Sequence, residues 1–289
     1  MPSLDVDLDG AIDLHVHTAP DVYDRLLSDD EQVSQALGAG LRAVLLKSHH
    51  TLTADRATLA SQRHGAQAFG GLALNHSVGG LNPVAVETAI AFGARQIWMP
   101  TIHAAHCLKT APQEMFRAEA RKGREGLTVL QAPDRLRPEA LAILELIRDG
   151  EIALGTGHLA PEEALVLLKS ARDMGVRRMV VTHPQMSFTR YTLPQMREAV
   201  ELGAMLEFDY LSCCPGWTES VPVEEAGAAI RSVGAERCIL ATDGGQPNNP
   251  APVEMLRTFA RELREFGLRR EEIRRMLCEN PAWILGIEG

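Results

Sequence analysis

The chain has 289 residues, 45% of them hydrophobic, which is enough to bury a sizeable core as one α/β domain over 1–289 and excludes a disordered protein. A formal net charge of −9 argues against nucleic acid or an anionic membrane as main partner and favours a small molecule, with homo-oligomers left open. The first residues lack the basic start and apolar core of a signal peptide, and no apolar run approaches the roughly 18 residues of a membrane span, so a cytoplasmic protein is expected. Cys107, Cys213, Cys214, Cys238 and Cys278 form no CxxC pair and read as reduced packing residues.

Eight short runs rich in Val, Ile and Leu, at 11–17, 42–49, 68–75, 96–101, 152–158, 178–184, 204–211 and 238–243, alternate with stretches carrying helix signals. The first run ends in His15-Val16-His17. Successive strand side chains face opposite ways, so both imidazoles share a face and reach one point, a geometry suited to zinc, manganese or iron. Arg25 follows in the next loop, able to grip a substrate carboxylate or to pair with its neighbours Asp21 and Asp24. Asp29-Asp30-Glu31 opens a helix that ends at Gly38-Ala39-Gly40.

The second run closes on Lys47 and His49, which share a face. A lysine beside histidines at a barrel mouth serves as a carbamate between two metals, as an ammonium for a substrate anion, or as a base of lowered pKa. Asn75 ends the third run. From His103 to about Arg137 there is little periodicity, the mark of an active-site loop or lid, or of a subunit contact. The fifth run ends at His158, after which Pro161-Glu162-Glu163 opens a helix that stops before Gly175; the sixth ends at His183. Tyr210 lies near the end of the seventh and, with Asn75 and His103, is a lower-ranked pocket candidate. Asp243 closes the eighth with Gly244-Gly245 behind it, where a carboxylate can touch a metal and take a proton from water. The final 30 residues read as an additional amphipathic helix packed on the barrel end.

Eight such units predict a (β/α)8 TIM barrel, and the absence of a strand followed by GxGxxG weakens a nucleotide-binding fold. In such barrels chemistry sits at the C-terminal strand ends. Five of the ten histidines, His15, His17, His49, His158 and His183, stand there with Lys47 and Asp243, a joint pattern that predicts a divalent-metal site of one or two ions.

These residues resemble the amidohydrolase superfamily of metal-dependent hydrolases: HxH on strand one, histidines on strands five and six, and an aspartate on strand eight, matched by His15, His17, His158, His183 and Asp243. The resemblance implies that activated water attacks a C–N or C–O bond of a small amide, lactone or ester, with Asp243 as the base. It also admits a metal-dependent decarboxylase. Asn280-Pro281-Ala282-Trp283-Ile284-Leu285-Gly286 looks like the closing helix of many members. The family's bridging lysine or glutamate comes from strand four, where this chain has no lysine before Lys109. Lys47 on strand two then replaces it as a carbamate between two ions; otherwise the site holds one ion and Lys47 or His49 faces substrate, His49 as a catalytic candidate. Asp13-Leu14-His15-Val16-His17-Thr18 and Lys47-Ser48-His49-His50-Thr51 are also similar to the first two motifs of the polymerase-and-histidinol-phosphatase phosphoesterases. That family has aspartate where this chain has Ser48, and it prefers a seven-stranded barrel. No GxSxG elbow supports a serine hydrolase.

Overall fold

A computed structural model describes residues 7–112, 116, 123–215, 217 and 219–288. Strands β1 (Ile12–His17), β2 (Ala43–Lys47), β3 (Gln67–Ala73) and β4 (Gln96–Trp98) precede an antiparallel hairpin, β5 (Leu130–Ala132) with β6 (Arg135–Leu136). Then come β7 (Ala153–Gly155), β8 (Met179–Thr182), β9 (Met205–Asp209) and β10 (Cys238–Ala241). Apart from the hairpin, the strands lie in the order β1-β2-β3-β4-β7-β8-β9-β10, each neighbour parallel. Helices between them cover the outside. This is the eight-stranded (β/α)8 TIM barrel, which sets the chain apart from a seven-stranded one.

The barrel is nearly closed between β1 and β10. His17 N–H donates to the Gly244 carbonyl at 2.8 Å, and Asp13 accepts from the Thr242 N–H at 3.1 Å and hydroxyl at 2.6 Å. Backbone geometry demands the glycine that follows: Gly245 has φ +121°, and a Cβ there would lie 1.9 Å from the His17 carbonyl oxygen.

Helix starts obey local chemistry. Ser28 and Glu31 form a reciprocal capping box over Asp29–Gly38, and prolines open Pro83–Ala91, Pro138–Asp149, Pro161–Asp173 and Pro252–Glu265. The final helical segment is less regular than periodicity suggests. It runs as α-helix over Arg270–Arg274, one π-helical stretch over Arg275–Glu279, and α-helix over Asn280–Leu285. Its Ala282, Ile284 and Leu285 plug one end of the barrel, packing with Ile12, Leu14, Leu45, Trp98, Val180 and Ile239. Burying each such Ile or Leu contributes about 1.5–3 kcal/mol. The apolar plug leaves the other end for polar side chains.

The stretch from His103 to Arg137 is more ordered than a loop. It contains the helix Ala105–Thr110 and the β5–β6 hairpin, tied down where Glu163 accepts from the Thr128 hydroxyl at 2.6 Å and Val129 N–H at 2.7 Å. The centre of the expected lid, 113–115 and 117–122, lies outside the described residues. No described helix is long and apolar enough to cross a membrane, and all five cysteines are free thiols.

Candidate metal centre

Ile12 and Leu14 point into the barrel, so strict alternation along β1 would turn His15 and His17 outward. The pairing of β1 with β2 shifts register between Asp13 and Val16. This irregularity lets one strand present Ile12 and Leu14 to the plug and both histidines to the polar end.

The two rings converge on Asp243: its Oδ1 lies 3.1 Å from His15 Nε2 and 3.0 Å from His17 Nε2. His183 Nε2 is 3.7 Å from the other oxygen of Asp243. Both His183 and Asp243 hold left-handed backbone, φ 54° and 48°, a conformation that costs non-glycine residues energy and clusters at functional sites. His158 completes the ring of imidazoles, its centroid 5.3 Å from that of His183; its Nε2 is buried with no hydrogen-bond partner among the described residues.

Two carboxylates on β9 aim these rings. Glu207 Oε1 is 2.9 Å from His15 Nδ1, and Asp209 Oδ2 is 2.7 Å from His183 Nδ1. A carboxylate that takes the Nδ1 hydrogen fixes the tautomer and leaves the Nε2 lone pair for a metal. Neither residue was singled out from sequence. The alternation Glu207-Phe208-Asp209 inside an apolar run was the available signal, the same one that reveals His15-Val16-His17.

Lys47, 1% exposed, sits beneath the cavity with Nζ 2.8 Å from His15 Nε2 and 5.2 Å from the centre of the Trp98 ring. Burial lowers its pKa. Burial also pushes His17 and His183 down to about 3 and holds His49 and His158 well below the usual imidazole range. For His15, burial and Lys47 oppose protonation, but the carboxylates of Asp243 and Glu207 outweigh them and push it up to about 10. Burial raises Glu207, and raises Asp209 to about 7. Asp243 resists the same effect, because His15 and His17 hold it well below the usual carboxylate range.

Above this group opens a cavity of about 360 Å³, at the small end of ligand pockets. His17, His49, His158, His183 and Asp243 line it together with apolar residues such as Phe116, Phe188 and Trp217 and polar ones such as Arg25 and Asn248.

Arg25 reaches the cavity with its charge already matched. Asp21 takes its Nε at 2.8 Å and Nη2 at 2.7 Å, and Nη2 also lies 3.2 Å from His17 Nδ1. Of the two uses read for Arg25, the structure therefore shows the pairing with Asp21. Three other candidates are not at the cavity. Asn75 is fully buried, its amide spent on neighbouring backbone and on Thr101. His103 packs against His76, ring centres 4.9 Å apart. Tyr210 turns outward onto Phe259 and Glu262 because it follows Asp209 on the opposite side of the chain.

A family model matches residues 10–207. The chain belongs to DUF6282, a family of unknown function. The matched stretch of DUF6282 carries His15, His17, Lys47, His49, His158, His183 and Glu207, while Asp209 and Asp243 lie beyond it. No curated protein matches this DUF6282 chain. Solved structures share its fold at low identity. An amidohydrolase from Pseudomonas aeruginosa superposes with a TM-score of 0.64 at 10% identity, covering 96% of this chain and 95% of its own. A probable dipeptidase from the same organism gives 0.66 at 9%, covering 96% and 94%. A lactonase from Listeria monocytogenes gives 0.60 at 14%, covering 98% and 96%.

The residues fit a divalent metal. Ligand atoms of His15, His17 and Asp243 lie within 4.8 Å of one another, as do those of His15, His183, Glu207 and Asp209. The buried Nε2 of His158, without a hydrogen-bond partner among the described residues, is the kind of atom that a cation satisfies. Imidazole and carboxylate donors suit zinc, manganese or iron.

Proposed function

We propose that this protein is a metal-dependent hydrolase that directs water onto a C–N or C–O bond of a small amide, lactone or ester. The observation that carries the reading is the convergence of His15 Nε2 and His17 Nε2 on Asp243 Oδ1, at 3.1 and 3.0 Å, on the floor of the cavity. His15, His17, His158, His183 and Asp243 would hold the ion, zinc by preference. A bound divalent ion brings the pKa of water toward 7 and polarises the electrophile.

Asp243 takes the proton as water attacks and returns it to the leaving group. Its suppressed pKa keeps it ionised, ready to accept, at neutral pH. His17 and His183 stay neutral and so keep lone pairs available. Phe116 and Phe188 flank His158, with centroids 6.3 and 4.9 Å away, and keep that side of the site dry. Tyr23, Gln246 and Asn248 offer hydrogen bonds to the polar end of a small substrate in the cytoplasm.

Lys47 extends this reading to two ions, since a carbamate on its Nζ would form beside His15 Nε2 and close to the β9 carboxylates. A mass gain of one CO2 on Lys47 supports that form; an unmodified amine in active protein restricts the site to one ion.

The test is metal analysis of purified protein followed by a panel of small lactones, esters and amides. About one or two equivalents of metal and turnover that chelation abolishes support the proposal. Less than about 0.2 equivalents, with no activation by zinc or manganese, sinks it. Release of CO2 from carboxylated substrates without hydrolysis would move the chemistry to decarboxylation.

A further inference from the structure

His49 lines the cavity among the other imidazoles, yet its hydrogen bonding assigns it a different task. The chain of contacts starts at Asn75. Asn75 Oδ1 lies 3.1 Å from the backbone N–H of Thr101 and 3.1 Å from that of His103, while Asn75 Nδ2 lies 2.9 Å from the carbonyl oxygen of His49 and 2.6 Å from Thr101 Oγ1. A backbone N–H can only donate and a carbonyl can only accept, so the orientation of the Asn75 amide is fixed. Thr101 Oγ1 is therefore an acceptor from Asn75.

Among the described residues, the remaining partner of Thr101 Oγ1 is His49 Nδ1, at 2.9 Å. Thr101 is fully buried. If His49 Nδ1 carried a hydrogen, Thr101 would receive two donors and its own hydroxyl hydrogen would be buried with no acceptor, an arrangement proteins avoid. The hydroxyl instead donates to His49 Nδ1. A neutral imidazole has one N–H, so it resides on Nε2, the ring atom turned away from Thr101.

We infer that the relay Asn75 to Thr101 to His49 holds His49 as a neutral Nε2–H donor facing the cavity, where it binds the substrate oxygen that gains negative charge during attack. With no lone pair on Nε2 and Nδ1 occupied, His49 is not a metal ligand. Its neighbours differ in this respect: Glu207 and Asp209 take the Nδ1 hydrogens of His15 and His183, which leaves their Nε2 atoms to an ion, His15 releasing its second proton as the ion binds. Opposite tautomers in one cluster separate holding an ion from stabilising an oxyanion. His49 thus becomes a catalytic residue, and Asn75 and Thr101 become positioning residues.

The substrate role rests on the hydrolase reading above, whereas the tautomer does not. The experiment is a two-bond 1H–15N correlation spectrum of zinc-loaded full-length protein labelled in histidine, with His49 assigned by its loss in His49→Gln. An unprotonated Nδ1 and protonated Nε2 are expected. In Thr101→Val the His49 pattern should change, and Thr101→Ser should restore it, an outcome that a purely packing role for Thr101 does not produce. Metal content should be unchanged in His49→Ala, while kcat on whichever panel substrate is turned over falls by roughly 10²–10³-fold. A protonated Nδ1 in the wild type, or metal lost from His49→Ala, overturns the inference. If Thr101→Val does not fold, the wild-type spectrum still decides. Should no panel substrate be turned over, the hydrolase reading fails while the spectrum stands as the test of the tautomer.

Discussion

Asp209 Oδ2 lies 2.7 Å from His183 Nδ1, and this contact turns the opposite edge of the ring toward Asp243. Asp209 is 1% exposed and is not one of the residues that line the cavity. Its effect passes through His183 and, with Oδ1 3.5 Å from His15 Nδ1, through His15 as well. Asp209→Asn is expected to weaken metal binding by about 10–100-fold, because the amide can donate to Nδ1 and favour the wrong tautomer. Glu207→Gln should act alike through His15. Competition with a chromogenic chelator measures both, and unchanged affinity in either variant would deny that carboxylate an orienting role.

Asp243 carries two duties in the proposed reaction. Asp243→Asn keeps the shape and an oxygen but no basic charge, so kcat is expected to fall by roughly 10²–10⁴-fold. Both His15 and His17 point at this side chain, so some metal affinity should be lost as well. Measuring kcat at saturating metal separates the two effects. Full turnover in the variant would move the base elsewhere.

The barrel and the polar strand ends were legible because periodicity in eight apolar runs reports burial directly, and all eight became strands. The β1 irregularity was not legible: nothing in Ile12-Asp13-Leu14-His15 announces a register shift, which is a property of its pairing with Ala43–Lys47 and not of the segment itself. Glu207 and Asp209 lie inside an apolar run, and only the folded barrel shows both turned onto the Nδ1 atoms of His15 and His183. Asn75 was read as a pocket residue from its place after β3. Its actual role depends on backbone donors from Thr101 and His103, contacts between neighbouring strand ends that sequence spacing does not encode.

Metal uptake should depend on pH through His15. Its imidazole, raised to about 10, is protonated in the metal-free protein at pH 8.5, whereas His17 and His183, near 3, are already neutral. A metal takes only the neutral ring, so binding at that pH should expel about one proton, and apparent affinity should rise about tenfold per pH unit until pH approaches 10. Calorimetry in buffers of different ionisation enthalpy counts the proton. The sign for folding is opposite. A pKa raised from 6.5 stabilises the metal-free fold below pH 6.5, and that contribution is lost as pH climbs through about 10. Zero proton release would show that His15 is neutral before the ion arrives.

Gly245 links the seam of the barrel to the centre. Its positive φ of +121° is one that side chains rarely adopt, and an added Cβ would meet the His17 carbonyl at 1.9 Å. The collision involves backbone, which cannot swing aside as a flexible side chain would. Leu26 N–H also donates to the Gly245 carbonyl at 2.8 Å, so a shift here disturbs both His17 and the loop carrying Arg25. Gly245→Ala is therefore expected to cost about 3 kcal/mol or more and to lower metal affinity. Gly38→Ala supplies the contrast, since a Cβ there meets nothing within 4 Å and lies in a helix; it should stabilise by about 0.4–1 kcal/mol. Chemical denaturation of the two variants against wild type reads the difference. Equal stability of Gly245→Ala and wild type would mean that the seam between β1 and β10 is looser than the His17 to Gly244 hydrogen bond implies.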